Sequence, residues 1–142
     1  MTQQTIVIVN TGCANISSVK FALERLGVSV TVSDDPAVIK SADKVFLPGV
    51  GAAGAAMTSI TAKQLIPTLQ GLTQPVLGVC LGMQLMVEQS DEATTGTIDC
   101  LKLLPGHVKR MQAGELRLPH MGWNTISPVG DSPLFKGLGE GT

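Results

Sequence analysis

The sequence predicts an α/β fold, a mostly parallel sheet with helices on both faces, and three observations carry that expectation. Short apolar runs rich in β-branched residues stand at 6–9, 28–32, 44–47 and 75–79, the pattern of strands buried on both faces. Helical stretches lie between them, most clearly where Ile16, Val19, Leu23 and Leu26 recur at three- and four-residue spacing. The resulting β-α-β-α-β-α-β-α order calls for parallel strands joined by helical crossovers.

Each element has its own local signal. Ile6-Val7-Ile8-Val9 is the first strand, and Asn10 through Asn15 turn the chain, with Asn15 or Ser17 placed to cap the first helix. Gly27 closes that helix. Asp34-Asp35-Pro36 opens a short second helix with proline at a first helical position. Residues 51–69 are expected to be mostly helical, with Pro67 interrupting them. Residues 75–79 form the fourth strand, and Leu81, Met83, Leu85, Met86 and Val87 read as a helix. Beyond Glu88 the pattern changes. Residues 89–99 read as polar turns, 101–104, 107–111 and 116–118 as short strands of a small antiparallel appendage, and 123–127 as one more strand.

The 142 residues fit a single domain, 1–142, with room for a sizeable core. A net charge of -1 without a basic cluster, three Phe, one Trp and no Tyr disfavour nucleic acid as a partner. Cys13, Cys80 and Cys100 are odd in number and widely spaced, which suits a reducing cytoplasm rather than disulfides, zinc or another metal. No apolar run reaches the ~20 residues of a membrane-spanning helix, and Met1-Thr-Gln-Gln is no signal-peptide start.

Chemistry concentrates at Pro75-Val-Leu-Gly-Val-Cys80-Leu-Gly-Met-Gln84. Gly78-x-Cys80-x-Gly82 repeats the G-x-S-x-G nucleophile elbow with sulfur replacing oxygen. Such a turn strains the backbone at the nucleophile, and side chains at the flanking positions would collide across it. It sets the sulfur at a helix start, where free N–H groups favour thiolate and the N–H of Leu81 faces a developing oxyanion. Against this stands the habit of cysteine to be a small buried hydrophobe. Gly49-Val50-Gly51-Ala52-Ala53-Gly54 spells G-x-G-x-x-G. A dinucleotide site wants an acid about 20 positions on, whereas no Asp or Glu occurs between Gly54 and Glu88. A glycine-rich turn that eases helix packing also fits, as does a backbone facing Cys80 that supplies a second oxyanion donor.

The elbow, Pro48-Gly-Val-Gly51, Gly12-Cys-Ala-Asn15, Ser17-Ser-Val-Lys20 and Pro119-His-Met-Gly-Trp-Asn124 together resemble the class I glutamine amidotransferases. Within them, the chain is similar to the glutaminase subunits of imidazole glycerol phosphate synthases, in histidine biosynthesis. The resemblance implies a flavodoxin-like fold without a cofactor. It implies that Cys80 attacks L-glutamine to form a thioester, with the Leu81 N–H and the Gly49, Val50 and Gly51 backbone as oxyanion donors. In the family, a peptide of the latter loop flips before its N–H points inward. Gln84 and Glu92 match substrate-binding positions; a carboxylate there suits the α-ammonium of glutamine, although alone Glu92 reads as one more solvated acid. Asn15, Met121 and Trp123 match the docking surface for a cyclase subunit, a (β/α)₈ barrel that completes a heterodimer and receives the ammonia. Without the resemblance, ordinary core packing explains Trp123 equally well.

The family's triad ends in a His and a Glu two residues apart, and neither His107 nor His120 stands in an H-x-E setting. The expectation is therefore that the family's C-terminal portion is missing from this chain, and that the chain alone does not turn over glutamine. Two rivals remain at this stage. One is a cysteine hydrolase that recruits His120 as base; the other is a non-catalytic flavodoxin-like binding or regulatory module.

Overall fold

A computed structural model describes residues 4–94, 96–139 and 141. It divides into two compact units, Met1–Arg110 and Met111–Thr142. In the first, β1 (Ile6–Val9), α1 (Ile16–Arg25), β2 (Val30–Ser33), α2 (Pro36–Ser41), β3 (Lys44–Gly49), α3 (Ala53–Ala62), α4 (Ile66–Gln70), β4 (Val76–Cys80) and α5 (Leu81–Leu85) follow in order. The sheet order is β2-β1-β3-β4, and every pairing in it is parallel. The chain leaves β1 toward one edge and returns to β3 on the other side, the strand-order reversal at which open α/β sheets place their ligands.

Burial explains why the strands read as continuous apolar runs. Val7, Val9, Val45 and Leu47 point to one face and pack against Ile39 of α2, Ile60 of α3, Leu69 of α4 and Leu85 of α5. Ile6 and Ile8 point to the other face with Phe46, against Ile16, Val19 and Leu23 of α1. Side-chain alternation along a strand thus feeds two cores. The first helix begins as expected, with the Asn15 side chain accepting the Ser18 N–H at 3.3 Å. Asp35 caps α2 ahead of Pro36, accepting the Ala37 N–H at 2.7 Å.

Several expectations are corrected. The second strand starts two residues late, at Val30. Pro67 does not interrupt a long helix. The break falls at Gln64, whose φ is +56°, and Pro67 sits in the first turn of α4, where its missing N–H costs nothing. The helix after Cys80 stops at Leu85, because Met86 begins a turn whose carbonyl accepts from both Leu103 and Leu104.

Residues 89–99 are not all turn. They supply β5 (Gln89–Ser90) and β6 (Ile98–Asp99), joined by β7 (His107–Val108). The small sheet, ordered β6-β5-β7, is mixed rather than antiparallel, since β5 and β7 run parallel. Residues 101–104 are no strand: Lys102 has φ +56°, and the Leu101 N–H bonds to the Leu85 carbonyl beneath α5. Among its described residues the second unit contains one short 3₁₀ helix, α6 (Pro133–Phe135), and neither 116–118 nor 123–127 forms a strand. Residues 140 and 142 of the closing run lie outside the described residues.

Candidate active site

Three loops at the carboxyl ends of β1, β3 and β4 meet. Gly49 pairs with Cys80 in the β3–β4 register, and the Val50 N–H donates to the Cys13 carbonyl at 2.9 Å. The loop bearing Cys13 is itself tied down, because Ser59 Oγ of α3 donates to the carbonyl of the buried Thr11.

Cys80 is the last residue of β4 and the cap of α5, with φ +54° and ψ -122°. L-residues rarely adopt such a conformation, and it is held only where the surroundings over-determine it. Here two close approaches do so. A Cβ on Gly78 would meet Met83 Cα at 2.5 Å, and one on Gly82 would overlap the Leu47 carbonyl oxygen. Gly49 obeys the same constraint, its missing Cβ leaving 2.7 Å to the Gly82 nitrogen. The glycines let β4, α5 and β3 close tightly enough to force the turn.

The turn leaves the Cys80 side chain exposed, while Leu81 and Leu85 anchor α5 in the core. The alternative of a buried structural thiol describes Cys100 instead, where burial, then the Asp99 charge, pushes the thiol above its ordinary pKa. Leu81 is the first residue of α5, so its N–H has no partner within the helix. The Val50 N–H is committed to Cys13, and Gly51 follows with φ +87°.

The dinucleotide option for Gly49 to Gly54 loses its last support. In that fingerprint the third glycine permits close helix–strand packing, and a Cβ on Gly54 would meet nothing within 4 Å.

Gln84 and Glu92 come together. With Asp91, Val108, Lys109 and Arg110 they line a cavity of about 320 Å³. Gln84 lies four residues after Cys80, within α5. The cluster around Asp91, which sequence reasoning passed over, braces the loop carrying Glu92: Asp91 Oδ1 lies 2.7 Å from His107 Nε2. The parallel pairing of β5 and β7 brings those two residues together.

Both histidines are engaged elsewhere, His107 with Asp91 and His120 Nε2 with Asn124 Nδ2 at 2.8 Å. Asn15 and Met121 are exposed, and Trp123 is fully so, at 102 %. The core-packing reading of Trp123 is thereby overturned. Among the described residues no group of three or more His, Cys, Asp or Glu is placed to hold a metal ion, and no helix is long and apolar enough to cross a membrane.

Comparison with known proteins agrees with this geometry. Glutamine amidotransferase class-I matches residues 7–141. The imidazole glycerol phosphate synthase subunit HisH 1 of Vibrio vulnificus is 54% identical over 144 residues, covering 99% of this chain and 71% of that protein. The HisH subunit of Colwellia psychrerythraea is 54% identical over 153 residues, 99% of this chain and 68% of its own length. That of Pasteurella multocida is 50% identical over 137 residues, 96% and 68%. With a strained, exposed thiol on a β4–α5 elbow and a match along nearly its whole length, this chain belongs to the class I glutamine amidotransferase family.

Proposed function

We propose that the chain is a glutaminase subunit of imidazole glycerol phosphate synthase, acting in the cytoplasm in histidine biosynthesis. The observation that carries the reading is the exposed Cys80 at φ +54°, facing the Gly49–Val50 backbone across the paired ends of β3 and β4. Cys80 Sγ adds to the side-chain carbonyl carbon of L-glutamine. The C–N bond then breaks, the nitrogen leaves with an added proton as ammonia, and water hydrolyses the thioester to glutamate. The Leu81 N–H steadies the oxyanion.

The second donor is not ready. The Val50 N–H is spent on the Cys13 carbonyl at 2.9 Å, so the Val50 peptide must turn before it serves the oxyanion. That peptide joins Gly49 to Val50, and Gly49, which carries no Cβ, is the flanking residue whose ψ takes up the turn. Gln84 and Glu92 hold the amino-acid end of glutamine in the adjoining cavity. Asn15, Met121 and Trp123 dock a cyclase subunit that receives the ammonia.

No His of the 142 residues stands two before a Glu, so none of these residues supplies Cys80 with a triad base in that pattern. The purified chain then reacts with a chloroketone analogue of glutamine but releases no ammonia from glutamine. Mass spectrometry is expected to find one adduct, on Cys80, and none in Cys80→Ser. Sustained ammonia release would overturn the inactive part of the reading, and absence of labelling at Cys80 would overturn the whole.

A further inference from the structure

Asp91 and Glu92 are neighbours in sequence with opposite surroundings. Asp91 Oδ1 accepts from Thr97 Oγ1 at 2.8 Å and lies 2.7 Å from His107 Nε2, which carries the proton against an ionised carboxylate. Thr97 first, then His107, with Lys109 as a weaker charge, hold the Asp91 carboxyl below the usual carboxylate range. Among the described residues the Glu92 carboxylate makes neither an ion pair nor a hydrogen bond.

The backbone between them is pinned at four points. Asp91 N donates to the Val108 carbonyl at 2.9 Å and Ala93 N to the Asp91 carbonyl at 2.9 Å. Glu92 N donates to Ser90 Oγ at 3.1 Å, and Ser90 is fully buried. Ser90 in turn pairs with Val108 across β5 and β7. The His107–Asp91–Thr97 cluster therefore ties Thr97 and the segment carrying Glu92 to β7 through side chains, as the Asp91 N–H does through the Val108 carbonyl. It consumes the Asp91 charge, and it leaves Glu92 as the unpaired acid on the cavity shared with Gln84.

We propose that His107 and Thr97 are positioning residues, which clamp Asp91 so that the free carboxylate of Glu92 is aimed at the α-ammonium of the amino-acid substrate. This rests on the glutaminase reading. Neither residue touches substrate; both act through the orientation of the segment carrying Glu92. Removing the clamp frees the Asp91 carboxylate to compete with Glu92 for the ammonium, which weakens capture of the amino-acid end while leaving the thiol as it was.

The test uses the full chain and two electrophiles, the chloroketone analogue of glutamine and iodoacetamide, which lacks the amino-acid end. Wild-type Cys80 should react saturably with the first, and Glu92→Gln should raise its half-saturating concentration. His107→Ala should raise it about tenfold or more, the worth of one charge-assisted hydrogen bond, with the limiting rate and the iodoacetamide rate unchanged. Thr97→Val should act in the same direction, and His107→Arg should restore wild-type saturation. If His107→Ala changes nothing while Glu92→Gln does, the clamp is wrong and the glutaminase reading stands. If both electrophiles slow together in His107→Ala, its role is general folding and the inference fails. If wild type shows no saturation, or Glu92→Gln has no effect, the glutamine site itself is misassigned and the clamp falls with it.

Discussion

Cys80 holds a φ of +54° in a residue with a Cβ, and that single torsion links stability to chemistry. Strain of this kind costs about 1–3 kcal/mol, and an exposed thiol returns little packing. Cys80→Gly is therefore expected to stabilise the chain by about 1 kcal/mol, after the greater unfolded-state freedom of glycine is subtracted. Urea unfolding measures it, with chloroketone labelling abolished in the same variant. Gly82 behaves oppositely. A methyl group there runs into the Leu47 carbonyl, which is backbone and cannot rotate away. Gly82→Ala should cost about 3 kcal/mol or more, and the elbow should lose its labelling even where the fold survives.

At the scale of elements, β1 and β3 are joined at their starts as well as along their lengths. The Asp43 carboxylate accepts the Thr5 N–H at 2.7 Å and the Thr5 hydroxyl at 2.9 Å. The backbone bond from Thr5, then its hydroxyl, hold the Asp43 carboxyl below its ordinary 3.8. A depressed carboxylate stabilises fully above the unfolded value and loses that contribution as pH falls through the folded value. The chain should accordingly lose stability as pH drops below about 3.8, and Asp43→Asn should be less stable at pH 7 with a flatter decline across the acid range. Equilibrium unfolding at pH 7 and at pH 3 checks both. The paired strands also show what a sequence makes legible. Strands buried on both faces are continuous apolar runs, so β1, β3 and β4 stand out. The strands β5, β6 and β7 are only two residues long, and their pairing is set by partners up to 18 residues away, so no local period marks them. Leu101 was strand-like in composition, yet its backbone bonds to the end of α5.

Across the whole molecule, apolar burial is unevenly spread. Among the described residues, every buried hydrophobic lies between Ile6 and Leu101, inside the first unit. Truncation after Arg110 is therefore expected to change unfolding free energy by less than about 1 kcal/mol, with a nearly unchanged denaturant slope. A loss of several kcal/mol would overturn this expectation. The same distribution gives the sole tryptophan a diagnostic role: Trp123 is fully exposed, so its emission should be that of solvated indole and should hardly move when the chain unfolds.

What the sequence by itself determined is the alternation of strand and helix, the glycine-framed cysteine and the family likeness, because all three are written in short, contiguous patterns. Only the tertiary structure decided that the Val50 N–H is held by Cys13, that Asp91 is clamped by His107, and that Trp123 faces solvent. Hydrogen-bond partners and solvent access depend on which distant segments the fold brings side by side, and no local spacing of residues encodes that choice.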